Sequence, residues 1–168
     1  MGKIKIIFGG LSLLVIGLLI FLICRSLDKK NQTLTNIQKL PNFHFKTLDG
    51  VDYSKKNIAE NSPVIIIYFN SECEHCIYEV KEITKNIERF SSYQIILTSS
   101  ETTDKIIAFK ENNNLQNYSN IAVLQTNDND FYNTFGTLTI PSVFAYNEKH
   151  LLTKHFKGEV KIDAIQNF

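Results

Sequence analysis

The chain has 168 residues and carries 18 Lys plus Arg against 17 Asp plus Glu, so a formal net charge of +1 supplies no field that would draw it to nucleic acid or acidic polymers. An apolar stretch occupies the first two dozen residues, and the remainder suffices for one compact domain with one hydrophobic core, leaving no room for a second catalytic domain. Three cysteines are too few for a disulfide-stapled scaffold, and the two-residue gap between Cys73 and Cys76 points to chemistry instead.

From Ile6 to Cys24 there are 19 residues with no charge and one clearly polar side chain, Ser12. At about 1.5 Å per residue a helix of that length spans roughly 28 Å, close to the hydrocarbon thickness of a bilayer. Residues 1–24 are therefore expected to form a membrane anchor. A cleaved signal peptide has a shorter apolar region and ends in a small-residue site, whereas the first alanine here is Ala59. Cys24 follows Ile23, where a lipid-acceptor cysteine needs a small residue, so it reads as a membrane-embedded or interfacial cysteine without function. Lys3 and Lys5 before the stretch are matched by Arg25, Lys29 and Lys30 after it, and the positive-inside rule gives no orientation.

Residues 25–40 are mostly polar and read as a linker that lifts a domain off the membrane, with the domain proper expected over 41–168. Phe43, Phe45 and Thr47 alternate with His44 and Lys46, and Leu48-Asp49-Gly50 supplies a turn before Val51 and Tyr53, which predicts a β-hairpin. Val64 to Phe69 is a continuous apolar, β-branched run and predicts a central strand buried on both faces. Ile77, Val80, Ile83, Thr84, Ile87 and Phe90 then recur at helical steps with charges between them, which predicts an amphipathic helix. A strand at Tyr93 to Leu97, a helix at Asp104 to Glu111 with Ile106 and Ile107 inward, and a strand at Ile121 to Leu124 follow. A short helix at Asp130 to Phe135, strands at Ser142 to Tyr146 and His150 to Phe156 around Asn147-Glu148-Lys149, and a helix from Val160 to Phe168 complete the chain. Alternating strands and helices predict an α/β fold with a mixed sheet flanked by helices.

The chemistry concentrates in Tyr68 to Val80, YFNSECEHCIYEV. A C-x-x-C that follows a buried strand and opens a helix puts Cys73 at the helix N-terminus, where unpaired N–H groups and the helix dipole favour a thiolate. Cys73 would attack a partner disulfide, and Cys76, less than one turn along, would resolve the mixed disulfide. A four-cysteine zinc site needs a second pair that this chain lacks, and haem attachment needs a histidine where Ile77 stands. Glu79 follows Cys76 by three residues and so shares its side of the helix; a half-buried carboxyl there would hold its proton more tightly and could exchange it with Cys76. A solvated glutamate paired with a lysine suits the same spacing. His44, His150 and His155 fall in strand or turn patterns and read as surface residues.

On the PNFHFKTLDG opening, the strand VIIIYF, the motif CEHC and Thr139-Ile140-Pro141 before a strand, the chain resembles the thioredoxin superfamily. Within it, the chain is similar to the membrane-anchored TlpA/ResA-like group of extracytoplasmic thiol-disulfide oxidoreductases. The resemblance implies a thioredoxin-like fold, a redox-active Cys73–Cys76 disulfide, a cis-proline at Pro141 facing the dithiol, and backbone binding of a client chain at Ile140. It implies a catalytic Glu79, protein thiol or disulfide clients, a reductant role recharged by a membrane electron donor, no cofactor, and a single-pass protein whose domain faces the periplasm or cell exterior. The sequence departs from the pattern in Glu72, where a tryptophan is usual, in Ile67, where thioredoxin has a buried aspartate, and in the Glu74-His75 dipeptide. His75 is similar in place to the histidine of the C-P-H-C motif of DsbA, which implies a stabilised Cys73 thiolate and a more oxidising dithiol. Two rivals are a peroxiredoxin-like peroxidase, whose Pro-x-x-x-Thr-x-x-Cys context Tyr68 to Cys73 does not supply, and a non-enzymatic module holding Cu(I) on the dithiol.

Overall fold

The computed structural model describes residues 14–27 and 35–166, in two units divided between Thr35 and Asn36. In the first unit residues 14–27 are helical and expose Leu14, Leu18 and Phe21. Residues 1–13 of the expected anchor and 28–34 of the expected linker lie outside the described residues. Among the described residues no helix is long and apolar enough to cross a membrane.

The second unit is built on a seven-stranded sheet. Its elements are β1 (His44–Thr47), β2 (Asp52–Ser54), β3 (Val64–Tyr68), α1 (Glu74–Lys85), β4 (Gln94–Ser99), α2 (Thr103–Asn112) and β5 (Ile121–Gln125), followed by α3 (Asp128–Phe135), β6 (Ser142–Tyr146), β7 (Leu152–Lys157) and α4 (Ile162–Gln166). The strand order is β2-β1-β5-β4-β3-β6-β7. β3 runs parallel to β4, and β4 to β5, while β1, β2, β6 and β7 join antiparallel, so the sheet is mixed as expected. The hairpin expected from the opening forms between β1 and β2.

All five residues of β3 are buried, because the strand has helices or loops on both sides. The two-residue period divides them. Ile65 and Ile67, with Phe69 beyond the strand end, enter a mainly aliphatic core with Val80, Ile83, Ile95, Leu97 and Val143. Val64, Ile66 and Tyr68 enter an aromatic core with Phe43, Phe45, Phe131, Phe135 and Phe144.

Several boundaries differ from the sequence reading. The folded unit takes in residues ahead of Pro41: Ile37 and Leu40 are buried, the Leu40 N–H donates to the His150 carbonyl (2.8 Å), and the Leu152 N–H donates to the Gln38 carbonyl (2.8 Å). α1 stops at Lys85, where the Asn86 side chain donates back to the Glu82 carbonyl (2.8 Å), and a 3-10 turn at Ile87–Phe90 swings Phe90 into the core. On α2 the core positions are Ile106 and Phe109, three apart on one face, while Ile107 is turned aside. α3 starts two residues early because Asn127 caps it, accepting from the Asp130 N–H at 2.9 Å. The last helix starts at Ile162; Val160 precedes it as a buried loop residue, and residues 167–168 lie outside the described residues. His155 is half-buried and stacked on Phe144, with ring centroids 4.2 Å apart, instead of lying on the surface.

Candidate functional site

The site grows from the C-terminal end of β3. The chain leaves the sheet after Tyr68 and turns through Asn70 to Cys73, a turn closed by the Cys73 N–H donating to the Asn70 carbonyl (3.2 Å) and the Glu72 N–H donating to Asn70 Oδ1 (2.9 Å). Glu101, just past β4, braces this loop. Its carboxylate accepts from the Ser71 N–H at 2.6 Å and from Ser71 Oγ at 2.8 Å, and it lies 3.7 Å from Lys105. Charge-assisted bonds of this length order a segment more firmly than neutral ones. Lys105 also pairs with Glu72 at 2.7 Å.

Cys73 is the cap residue of α1, extended in backbone (φ −79°, ψ 114°), and its carbonyl accepts the first helical bond from the Ile77 N–H (3.0 Å). Cys73 is half-buried, Cys76 is buried, and both are free thiols. Burial pushes the Cys76 thiol far up, and the neighbouring Cys73 and Glu79 push the same way, against a backbone hydrogen bond with Asn70. This is the asymmetry the spacing predicts: one sulfur presented at the helix start, the other held behind it.

Glu79 is only 1% exposed, and neither carboxyl oxygen has a hydrogen-bond partner among the described residues. An ionised carboxylate in such surroundings is costly, so burial raises its pKa to about 8, with the charge of Glu159 as a second cause. The carboxyl lies deeper than the half-buried flank its spacing suggests, and the solvated, lysine-paired arrangement is excluded.

The remaining predicted residues fall around this centre. Glu74 is exposed at the first position of α1. His75 is exposed too, and its Nδ1 lies 2.5 Å from Glu159 Oε2. Ile140 is joined to Pro141 by a cis peptide bond and is 36% exposed. Ser142, next to Pro141, is the register partner of Tyr68, which puts the Ile140-Pro141 segment at the end of the sheet from which the Cys73 loop emerges. The Gly158 N–H donates to the Pro141 carbonyl (2.8 Å), tying the loop after β7 to the same place. Cys73, Cys76, Glu79, His75 and the Ile140-Pro141 segment thus share one end of the sheet.

Glu101 and Glu159 are the residues the sequence reading missed. Each reaches the motif across a separation, 30 and 84 residues, that no local pattern encodes. Gly158 before Glu159 marks a turn and is the one local signal for that contact. Among the described residues no three His, Cys, Asp or Glu side chains are grouped to hold a metal ion.

The model of the AhpC/TSA family matches residues 37–155. No curated protein matches the sequence. Among solved structures the chain is similar to a secreted Mycobacterium tuberculosis disulfide oxidoreductase homologous to E. coli DsbE, at 14% identity, 79% of this chain, 94% of that one and a TM-score of 0.62. It is similar to StoA from Bacillus subtilis at 21% identity, 74% and 93% coverage and a TM-score of 0.57. A peroxiredoxin-like protein from Aquifex aeolicus matches at 14% identity, 77% and 82% coverage and a TM-score of 0.63. At these identities the likeness is one of fold, and the fold is the thioredoxin-like one.

Proposed function

The chain belongs to the AhpC/TSA family, and we propose that it works as a membrane-anchored, extracytoplasmic thiol-disulfide oxidoreductase of the TlpA/ResA-like kind, reducing protein clients through its CEHC dithiol. The observation that carries this reading is the buried Cys76 and Glu79 behind a half-buried Cys73 at the start of α1. A helix N-terminus steadies a thiolate, and a buried thiol with a buried carboxyl beside it has a proton acceptor at hand.

In the proposed cycle the Cys73 thiolate attacks one sulfur of a client disulfide; the Cys73–client bond forms and the other client sulfur leaves as a thiolate. Cys76 then gives its proton to ionised Glu79 and attacks the Cys73 sulfur, which releases the second client thiolate. The client gains two electrons and the protein ends as a Cys73–Cys76 disulfide, to be reduced again by a membrane dithiol donor. Ile140 and Pro141 would hold the client backbone, Glu74 and His75 would tune the dithiol, residues 1–24 would anchor the chain, 25–35 would link, and 36–168 would carry the redox domain. The apolar run supports the anchor, and the exchange chemistry supports the periplasmic or exterior side.

Trapping tests the order of attack. Cys76→Ser should accumulate clients as mixed disulfides and Cys73→Ser should not; equal trapping by both would remove the assignment. Consumption of peroxide without client trapping would favour the peroxidase reading suggested by the peroxiredoxin-like neighbour.

A further inference from the structure

The loop that follows β7 is held against the motif by three contacts in consecutive residues. Gly158, at φ +92°, donates to the Pro141 carbonyl; Glu159 meets the His75 ring; and Val160 is buried in the cluster that contains Cys76 and Val80. A left-handed turn of this kind suits glycine, so the chain is shaped to bring the residue after it back onto α1. His75 and Glu79 are four residues apart, hence neighbours on the helix surface, and a carboxylate that grips the first sits about one turn from the second. An ionised carboxylate only accepts hydrogen bonds, so against ionised Glu159 the His75 Nδ1 carries the proton and donates.

We propose that Glu159 is a positioning residue of this site: clasped by His75 and presented by the Gly158 turn that is bonded to Pro141, its carboxylate acts through space on Glu79 and so governs how readily Glu79 takes the Cys76 proton. Its functional meaning rests on the exchange reading above. The other titratable groups around Glu79 do not substitute for it. Cys76 and His75 share its helix, Cys73 stands at that helix's start, and on the side of α4 Asp163 is matched by Arg89 at 2.8 Å with Lys161 exposed beside it. The core cluster that holds Cys76 and Val80, the α1 residues on either side of Glu79, meets the sheet at Ile65, Ile67 and Val143, which carry no charge. Like charges disfavour each other, and although Glu159 itself is exposed the carboxyl it faces is buried and poorly screened, so Glu159 opposes the ionisation of Glu79, in line with the second cause of its raised pKa.

The test is a carboxyl titration of Glu79 on the full chain with both cysteines reduced, by side-chain carbon NMR, with Glu79→Gln used to identify the signal. Glu159→Gln keeps the size and removes the charge, and should lower the Glu79 midpoint by about half a pH unit or more. The pH profile of disulfide exchange should move the same way. Made on a His75→Gln background, the same substitution should move the midpoint less, because Glu159 is no longer clasped. An unmoved midpoint in Glu159→Gln would overturn the inference, and equal shifts on both backgrounds would overturn the clasp. A lowered midpoint in a protein that reduces no disulfide would keep this inference and sink the exchange reading; normal exchange with an unmoved midpoint would do the reverse.

Discussion

The two sides of the sheet are packed by different chemistry. On one, β3 meets a ring-on-ring core in which Phe131 stacks on Tyr68 and Phe135, with centroids 4.0 and 4.7 Å apart, and Phe43 stacks on Phe45 at 4.6 Å. On the other, it meets aliphatic side chains, and that core ends at Cys73, Cys76 and Glu79. Each side buries polar atoms with no partner among the described residues, the Tyr146 hydroxyl and the His155 Nε2 on the aromatic side and the Glu79 carboxyl on the aliphatic side. The consequences differ. A phenol whose pKa is driven up by burial and an imidazole whose pKa is driven down by it both stay neutral at neutral pH, whereas a carboxyl at about 8 changes charge close to it. The aromatic side can therefore act as scaffold while the aliphatic side carries a group whose state matters.

That division can be broken most directly at Phe131, which is fully buried against Tyr68, Phe135 and Phe144. Phe131→Ala should cost about 3–5 kcal/mol in denaturant unfolding while leaving the exchange rate of the folded protein unchanged. A variant that loses exchange in step with stability would mean that the two sides are not separable.

Glu79 sharpens the comparison from the opposite side. Its folded carboxyl is raised to about 8 from an ordinary 4.5, so the native state binds the proton more tightly than the unfolded chain does. Stability is then full below pH 4.5, falls as pH rises from 4.5 to 8 and is level above, a total on the order of a few kcal/mol. Glu79→Gln should flatten this slope and slow exchange several-fold at neutral pH. Thermal melts across pH 4 to 9 that keep the wild-type slope in the variant would show that another group carries it.

A smaller effect is expected at Glu101, which touches the loop but not the sulfurs. Glu101→Gln weakens its bonds to Ser71 and should lower stability by about 1–2 kcal/mol, with a loss of exchange below about tenfold. An exchange loss as large as that of Glu79→Gln would make Glu101 more than a brace. The smallest change is expected at His75, an exposed residue with one ring nitrogen engaged by Glu159. His75→Pro should lower the dithiol potential by no more than about 30 mV, a tenfold change in the equilibrium, in a glutathione titration. A larger drop would mean that the imidazole acts on the Cys73 sulfur itself.

What could be read from the sequence is what neighbours along the chain decide. The order of strands and helices, a central strand buried on both sides, a dithiol at a helix start and Glu79 on the side of Cys76 all follow from periods of two and 3.6 and from separations of four residues or fewer. Where local geometry left a choice, packing made it. Ile106 and Ile107 are both apolar, yet α2 meets the sheet through Ile106 and Phe109, and the apolar period that runs on to Phe90 is carried past Lys85 by a 3-10 turn instead of by the helix. Residues 37 and 40 look like scattered apolar positions in a polar stretch until the strand at 152 supplies the partner that buries them. The two carboxylates that frame the dithiol were decided by tertiary structure alone: Glu101 meets Ser71 because β4 lies beside β3, and Glu159 meets His75 because β7 ends where α1 begins. Charges carry no period that marks a partner so far along the chain, and such a pair exists only once the sheet has brought its strand ends together.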